Sequence, residues 1–204
     1  GKYKIYGTTL DDAAGEVLDK CANLMKLGFP GGPKIETLAK NGIPDSVSLP
    51  RPRINENDCN FSFSGLKTAF SQKYFKLSNN SKINENNNFS ASLQKAISDC
   101  LVSRTRNAIY RFSKEYNSKQ LVFAGGVASN FYIRSSLQNL ANSLGFNFIV
   151  PPPKLCTDNG AMIAWAGIEY MNLNKKSKID FEPLPRWPID YKIFNPLGLN
   201  NNEK

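Results

Sequence analysis

The stretch Leu121-Val-Phe-Ala-Gly-Gly-Val-Ala-Ser-Asn130 constrains this chain most, because a short apolar run stops abruptly at two glycines. The run predicts a buried central strand over 121–123. Gly125 and Gly126 have no Cβ, so the backbone can turn sharply there and lie close against a flat ligand. Apolar residues at helical spacing follow, and Ser129 or Asn130 can cap that helix. This order indicates a nucleotide site or a tight turn in an α/β protein, and the stretch alone does not separate the two.

Strands that alternate with helices predict an α/β layered fold. We expect strands over 1–8, 121–123 and 147–150, with shorter candidates at 47–49 and 61–63. Helices are expected over 10–27, 34–40, 64–77, 89–116 and 158–172, and from the glycine turn to Leu144. The Asn-rich segment 78–88 predicts a solvated loop, and the Pro- and Lys-rich segment 175–204 predicts an extended surface tail.

Charge and cysteine content narrow the class of partner and the compartment. The formal net charge of +9 favours an anionic partner, nucleic acid before membrane, although many basic proteins bind neither. No apolar run approaches the roughly 20 residues of a membrane helix. The four cysteines include no Cys-x-x-Cys pair, so they are interpreted as reduced cytosolic thiols. The chain has no histidine, so it cannot complete a mechanism that needs an imidazole.

Three groups of residues can carry chemistry. Asp19 lies in an apolar helix and can accept hydrogen bonds from ribose hydroxyls, or pair with a nearby lysine on the surface. Asn130 can read a base edge or a sugar, or serve as a helix cap. Asp158, at the start of the last predicted helix, can supply one oxygen to a cation or cap that helix.

The second half of the predicted long helix is basic. Its positive side chains form a solvated face or contact nucleic-acid phosphates, and the former is the commoner reason for such a pattern. These residues are Arg104, Arg106, Arg111 and Lys114.

Five stretches together resemble one family, the TsaD family of tRNA adenosine threonylcarbamoyltransferases, once described as glycoprotein endopeptidases. They are Thr9-Leu-Asp-Asp-Ala-Ala-Gly-Glu-Val-Leu-Asp-Lys20, Phe29-Pro-Gly-Gly-Pro33, Phe61-Ser-Phe-Ser-Gly-Leu-Lys67, Ala124-Gly-Gly-Val-Ala-Ser-Asn130 and Cys156-Thr-Asp-Asn-Gly-Ala-Met-Ile-Ala164. The resemblance implies an α/β actin-like ATPase fold (ribonuclease H-like), of which this chain is mostly the C-terminal lobe. That lobe would span 1–174 with a helical insertion at about 10–117, followed by the tail 175–204.

The resemblance implies transfer of threonylcarbamoyl from threonylcarbamoyl-AMP to N6 of adenosine 37 in tRNAs that read ANN codons. It implies binding of the adenylate by six residues and of one metal ion, iron or zinc, by Asp158. The adenylate residues are Asp19, Gly32, Glu36, Gly125, Gly126 and Asn130.

The family's other metal ligands, two histidines in a His-x-x-x-His motif, and its Ser-Gly-Gly phosphate loop lie upstream of where this chain starts. We therefore expect a truncated chain, inactive alone, that acts in the cytoplasm with helper proteins or as a homodimer. Two alternatives stay open: a non-enzymatic nucleotide-binding or scaffold subunit, and another actin-like kinase or carbamoyltransferase.

Overall fold

The computed structural model describes residues 3–174, apart from the side chains of residues 79, 80, 83 and 84. Within that range lie six α-helices, two β-strands and two short 3₁₀ turns, at Gly126–Ser129 and Pro153–Leu155. In chain order the elements are α1 (Ala14–Leu24), α2 (Gly31–Ala39), α3 (Ser64–Phe75), α4 (Asn79–Glu115), β1 (Gln120–Val122), α5 (Phe131–Ser143), β2 (Asn147–Ile149) and α6 (Gly160–Asn172).

The protein is mainly helical with a small parallel sheet, so the α/β expectation is correct only in part. Strands β1 and β2 pair in parallel, with Leu121 opposite Phe148, and α5 is the crossover between them. The central strand was expected to be buried, but Val122 is 61% exposed. Within residues 7–158 no second layer covers its outer surface, whereas parallel strands in larger sheets are covered on both faces.

Several local predictions were wrong. Within 3–8 and 47–49 no strand forms, and the candidate at 61–63 contributes only an isolated parallel bridge between Thr9 and Phe61. The expected loop 78–88 is instead the start of α4, where the Ser78 hydroxyl accepts a hydrogen bond from the backbone of Ser81. This cap and the packing of Phe89 against Phe70 outweigh the weak helix propensity of asparagine. The tail predicted over 175–204 lies outside the described residues.

The described residues divide into two units, one formed by residues 7–158 and the other containing residues 3–6 and 159–174. The core of the first unit is built where α1, α2, α4 and α5 meet, around Val17, Ile35, Leu93 and Ile133. Apolar residues at spacings of three and four line each of these helices, so each buries one stripe.

The described part of the second unit contains α6, which begins where the Asn159 side-chain oxygen accepts a 3.1 Å hydrogen bond from the backbone of Met162. In residues 3–174 no helix is both long enough and apolar enough to cross a membrane.

Candidate functional site

Asp19 caps the start of α2. Its Oδ1 accepts hydrogen bonds from the backbone N–H groups of Gly31, at 2.8 Å, and Gly32, at 3.3 Å. Pro30, at the N-cap position of α2, has no side-chain acceptor for the unpaired N–H groups of the first turn. The Asp19 carboxylate from α1 accepts these hydrogen bonds, and its negative charge interacts favourably with the positive end of the helix dipole. Among the described residues Asp19 forms no ion pair, and the adjacent Lys20 pairs with Asp12 and Glu16.

Glu36 links α2 to the start of α5. Its Oε1 accepts a 2.7 Å hydrogen bond from the backbone N–H of Phe131, the first residue of α5. Asp19 and Glu36 therefore each use one oxygen at a helix N-terminus, and their second oxygens accept no hydrogen bond from the described residues.

Asn130 is the N-cap of α5, as the simpler of its two interpretations predicted. Its Oδ1 accepts a 3.0 Å hydrogen bond from Ile133 N–H, and its Nδ2 donates to Gln94 Oε1 at 2.8 Å. Capping does not exclude binding, since an amide has two N–H donors and two acceptor lone pairs.

The glycine turn connects β1 to α5. Gly125 has a φ of +92°, in the region that favours glycine, and both Gly125 and Gly126 are exposed. Nothing lies within 4 Å of the position that a Cβ on either glycine would occupy, so the described residues leave this surface open to a ligand. Ser129, the other candidate cap of the following helix, does not cap it and donates its hydroxyl hydrogen to the Gly126 carbonyl.

The turn also packs against α1, where a Cβ on Gly15 would lie 3.4 Å from Val127 Cγ2. With the two carboxylate contacts, this closes a ring that runs from α1 to α2, on to the start of α5, and back to α1 through the turn. Five predicted residues thus belong to this ring, at the start of α2 or α5, in the turn, or in the middle of a helix with a side chain that contacts one of these starts. They are Asp19, Gly32, Glu36, Gly126 and Asn130.

Arg134 joins the turn to the segment that carries Asp158. Its Nε and Nη2 donate to the Ala128 carbonyl at 2.9 and 2.6 Å, and Nη2 lies 3.8 Å from Cys156 Sγ. Asp158 follows two residues later and is exposed. It does not cap α6, because Asn159 does.

The described residues do not form a metal site by themselves. No group of three or more Cys, Asp or Glu side chains in 3–174 is placed to hold an ion, and the chain has no histidine. Asp158 can supply at most one oxygen ligand, which is too few for a transition-metal site.

Sequence reasoning missed the role of Asp11. Its carboxylate accepts hydrogen bonds from the backbone N–H groups of Phe63 and Ser64 and from the hydroxyls of Ser62 and Ser64. Burial raises the pKa of Asp11, but these four hydrogen bonds outweigh it and lower the pKa to about 2. The first and third family-like stretches are therefore held together here, and the acidic pair before α1 is the signal that could have shown it.

The basic half of α4 has two kinds of residue. Arg104 is 2% exposed and donates to the carbonyls of Ile54, at 2.9 Å, and Asp58, at 3.3 Å. It therefore holds the loop before α3 and cannot be a surface contact for tRNA. Arg106 and Lys114 are exposed.

All four cysteines are free and buried, without disulfides in the described residues. Burial raises the pKa of Cys21 to about 12 and that of Cys100 to about 11. Cys21 and Cys100 therefore pack as small apolar groups and are poor nucleophiles.

Several curated proteins are similar to this chain over nearly all of its length. A tRNA N6-adenosine threonylcarbamoyltransferase of Rhodospirillum rubrum is 46% identical over 193 residues, which cover 93% of this chain and 53% of the relative. The protein of that name from Rickettsia rickettsii is 44% identical, covering 93% and 56%. That from Rhizobium johnstonii is 45% identical, covering 98% and 56%.

A profile of the TsaD family, described as tRNA N6-adenosine threonylcarbamoyltransferase, matches residues 1–165. This chain belongs to the TsaD family of tRNA-modifying transferases. It spans about half the length of the curated relatives it matches.

Proposed function

We propose that this chain carries the adenylate-binding part of a tRNA N6-adenosine threonylcarbamoyltransferase. The reaction is attack by the N6 amine of adenosine 37 on the acyl carbon of threonylcarbamoyl-AMP. The new bond is N–C, the broken bond is the C–O bond to the phosphate, AMP leaves, and the amine releases a proton. The ring of contacts around the starts of α2 and α5 is the observation that carries the proposal.

The proposed contacts to the nucleotide are assigned to polar atoms that make no hydrogen bond with the described residues. Asp19 Oδ2 and the second oxygen of Glu36 would accept hydrogen bonds from the ribose hydroxyls. The open backbone of Gly125 and Gly126 would lie against the adenine ring, and Asn130 would contact the nucleoside. Because both carboxylates are already held by backbone N–H groups, they are oriented before the ligand arrives.

These residues bind and orient, and we assign none of them as the catalytic base. Holding the acyl-adenylate in one pose turns an encounter of two molecules into a reaction within one complex, and this effect supplies a large share of many rate enhancements.

The same proposal includes the fold. We propose an actin-like fold in which this chain forms most of the C-terminal lobe, with a helical insertion at about 10–117.

The metal is part of the proposal only through Asp158. That carboxylate would donate one oxygen to a single iron or zinc ion, with the remaining protein ligands from a His-x-x-x-His segment that this chain does not contain. Such an ion supplies Lewis-acid chemistry when bound.

The proposed tRNA contact rests on the exposed part of the basic helix. Arg106, Arg111 and Lys114 are exposed, although Arg111 also donates to the Asn57 carbonyl at 3.0 Å. Lysine and arginine on one helix half suit phosphates and give binding that is salt-dependent and largely indifferent to sequence. We further propose that the protein works in the cytoplasm, with helper proteins of the same modification or as a homodimer.

A test is to co-express this chain with the part of the Rhodospirillum rubrum relative that precedes the matched region. Transfer of radiolabelled threonine to unmodified tRNA, with ATP, bicarbonate and an enzyme that makes the acyl-adenylate, is the expected result. Each piece alone and the pair with Asp158→Asn are the controls. No transfer by a pair that is folded and associated would overturn the proposal.

One alternative has an observation in its favour. Because residues 3–174 form no metal site, the chain could serve as a non-enzymatic nucleotide-binding or scaffold subunit. Binding of AMP by a pair that never transfers threonylcarbamoyl would support it. The hypothesis of a sugar kinase has no support from the relatives named above. Phosphorylation of a sugar by the same two associated pieces would support it.

A further inference from the structure

The side-chain amide of Gln94, on α4, contacts the side-chain amide of Asn130. Gln94 Oε1 accepts the 2.8 Å hydrogen bond from Asn130 Nδ2, and the two residues are only 6% and 4% exposed. We infer that Gln94 is a positioning residue, which fixes the Asn130 amide so that one N–H of Nδ2 stays directed to the ligand. This inference rests on the proposed function, because Gln94 acts on the nucleotide only through Asn130.

Two hydrogen bonds on opposite sides of the amide hold Asn130 in one orientation. The Ile133 N–H needs an acceptor, so Oδ1 must face the first turn of α5. Nδ2 then faces α4, where a buried N–H without a partner would carry the cost of desolvation. Gln94 supplies that partner, so in the capping orientation the Asn130 oxygen and one of its N–H groups both have hydrogen-bond partners.

The neighbours of Gln94 one helical turn away are buried, so its side chain cannot be satisfied by bulk water. Ile97 is fully buried and apolar, and Ser90 and Ser98 are buried and polar. A buried amide is favourable only where it is hydrogen-bonded, and its Oε1 bond goes to Asn130. The start of α5 is thus fixed from two helices, by Glu36 of α2 and Gln94 of α4.

The test is a double-mutant cycle read by calorimetric binding of AMP to the chain associated with its complementing piece. Asn130→Ser keeps an oxygen that caps α5 and removes the amide, whereas Gln94→Met keeps the volume and removes the acceptor. We expect Gln94→Met to weaken AMP binding about tenfold in the unsubstituted protein and less than twofold in the Asn130→Ser background.

Gln94→Glu is the matched control, because its carboxylate still accepts from Asn130 Nδ2. It should bind AMP within threefold of the unsubstituted protein. Nitrogen–proton correlation spectra of the chain should show Asn130 side-chain protons that exchange slowly with water, rapidly in Gln94→Met and slowly again in Gln94→Glu.

The outcomes separate the two claims. Absence of AMP binding by the unsubstituted protein would overturn the proposed function and this inference together. AMP binding that Asn130→Ser weakens and Gln94→Met leaves unchanged would overturn only the role of Gln94. An equal loss from Gln94→Met in both backgrounds would do the same, because Gln94 would then act independently of Asn130.

Discussion

Asp19 Oδ1 lies 2.8 Å from the backbone nitrogen of Gly31, twelve residues further along the chain. This contact joins the middle of α1 to the first residue of α2. The Asp19 carboxylate is therefore both a helix cap and a candidate binding group for the ribose of a nucleotide. The two roles use different oxygens, so substitutions can separate them.

Asp19→Asn keeps an oxygen that can cap α2 and removes the negative charge. We expect little change in the free energy of unfolding but at least tenfold weaker AMP binding, because a neutral amide is a poorer acceptor for ribose hydroxyls. Asp19→Ala should lose about 1 kcal/mol of stability as well. Thermal unfolding measures the stability of the two variants, and calorimetry measures their affinity for AMP. If Asp19→Asn bound AMP as tightly as the unsubstituted protein, the proposed ribose contact would be contradicted.

Gly31→Ala should be strongly destabilising, because the new Cβ would lie 2.6 Å from Ala22 Cβ and 2.8 Å from Asp19 Cα. Separating α1 from α2 to relieve this overlap should cost about 1–3 kcal/mol. Gly32→Ala is the control, since its Cβ would meet only Leu18 Cδ1 at 3.9 Å. Alanine within a helix should leave stability unchanged or raise it by up to about 1 kcal/mol. Equal losses in urea unfolding would contradict this account of the packing.

Asp11→Asn should destabilise the protein in a pH-dependent way. Because folding lowers the pKa of Asp11 from 3.8 to about 2, its stabilising contribution is complete above the unfolded value and is lost as pH falls toward 2. Phe63 and Ser64 form the start of α3, so Asp11 acts as a helix cap. We expect a loss of about 1 kcal/mol near pH 6 that shrinks between pH 4 and pH 2.

Chemical unfolding at a series of pH values measures the effect of Asp11→Asn. The control is Glu56→Gln, which removes an exposed carboxylate. A difference between Asp11→Asn and the unsubstituted protein that stays constant down to pH 2 would be inconsistent with the four hydrogen bonds.

Arg104→Met should cost about 1.5–3 kcal/mol of stability, because it removes the charged donor of the Ile54 and Asp58 carbonyls. These carbonyls then keep only their neutral donors, the Ser103 hydroxyl and the Asn107 amide. Arg106→Gln, two residues along the same helix but exposed, should change stability by less than about 0.5 kcal/mol. Thermal unfolding distinguishes the two, and a mild effect at Arg104 would mean that the loop before α3 is held by other contacts.

Arg106→Gln combined with Lys114→Gln should weaken tRNA binding and reduce its dependence on salt. Losing two phosphate contacts should make the slope of log K against log salt shallower by about 1.5–2. The charge-matched control replaces two exposed lysines outside α4, Lys40 directly after α2 and Lys73 in α3, by glutamine. Filter binding over a range of salt concentrations gives the slopes, and equal slopes for both double variants would remove the basic helix from the proposed interface.

The glycine turn and the helix that follows it could be predicted from the sequence, because an apolar run, paired glycines and helical spacing act over a few residues. The prediction failed at 78–88, where asparagine favours loops but Ser78 and the packing of Phe89 on Phe70 decide for a helix. The prediction also failed at 47–49, because two apolar residues do not form a strand unless a neighbouring strand supplies hydrogen bonds. Arg104 was mistaken for a surface charge, because sequence alone does not show which carbonyls a guanidinium can reach.

The sequence by itself determined the family, since five short motifs in order are far more specific than any one of them. It also determined which residue types stand at the candidate site. Only the tertiary structure decided that Asp19, Glu36 and Asp11 cap helices far along the chain, and that Gln94 lies against Asn130. The physical reason is that a helix start leaves N–H groups unpaired, and which remote carboxylate or amide satisfies them depends on packing that local sequence does not encode.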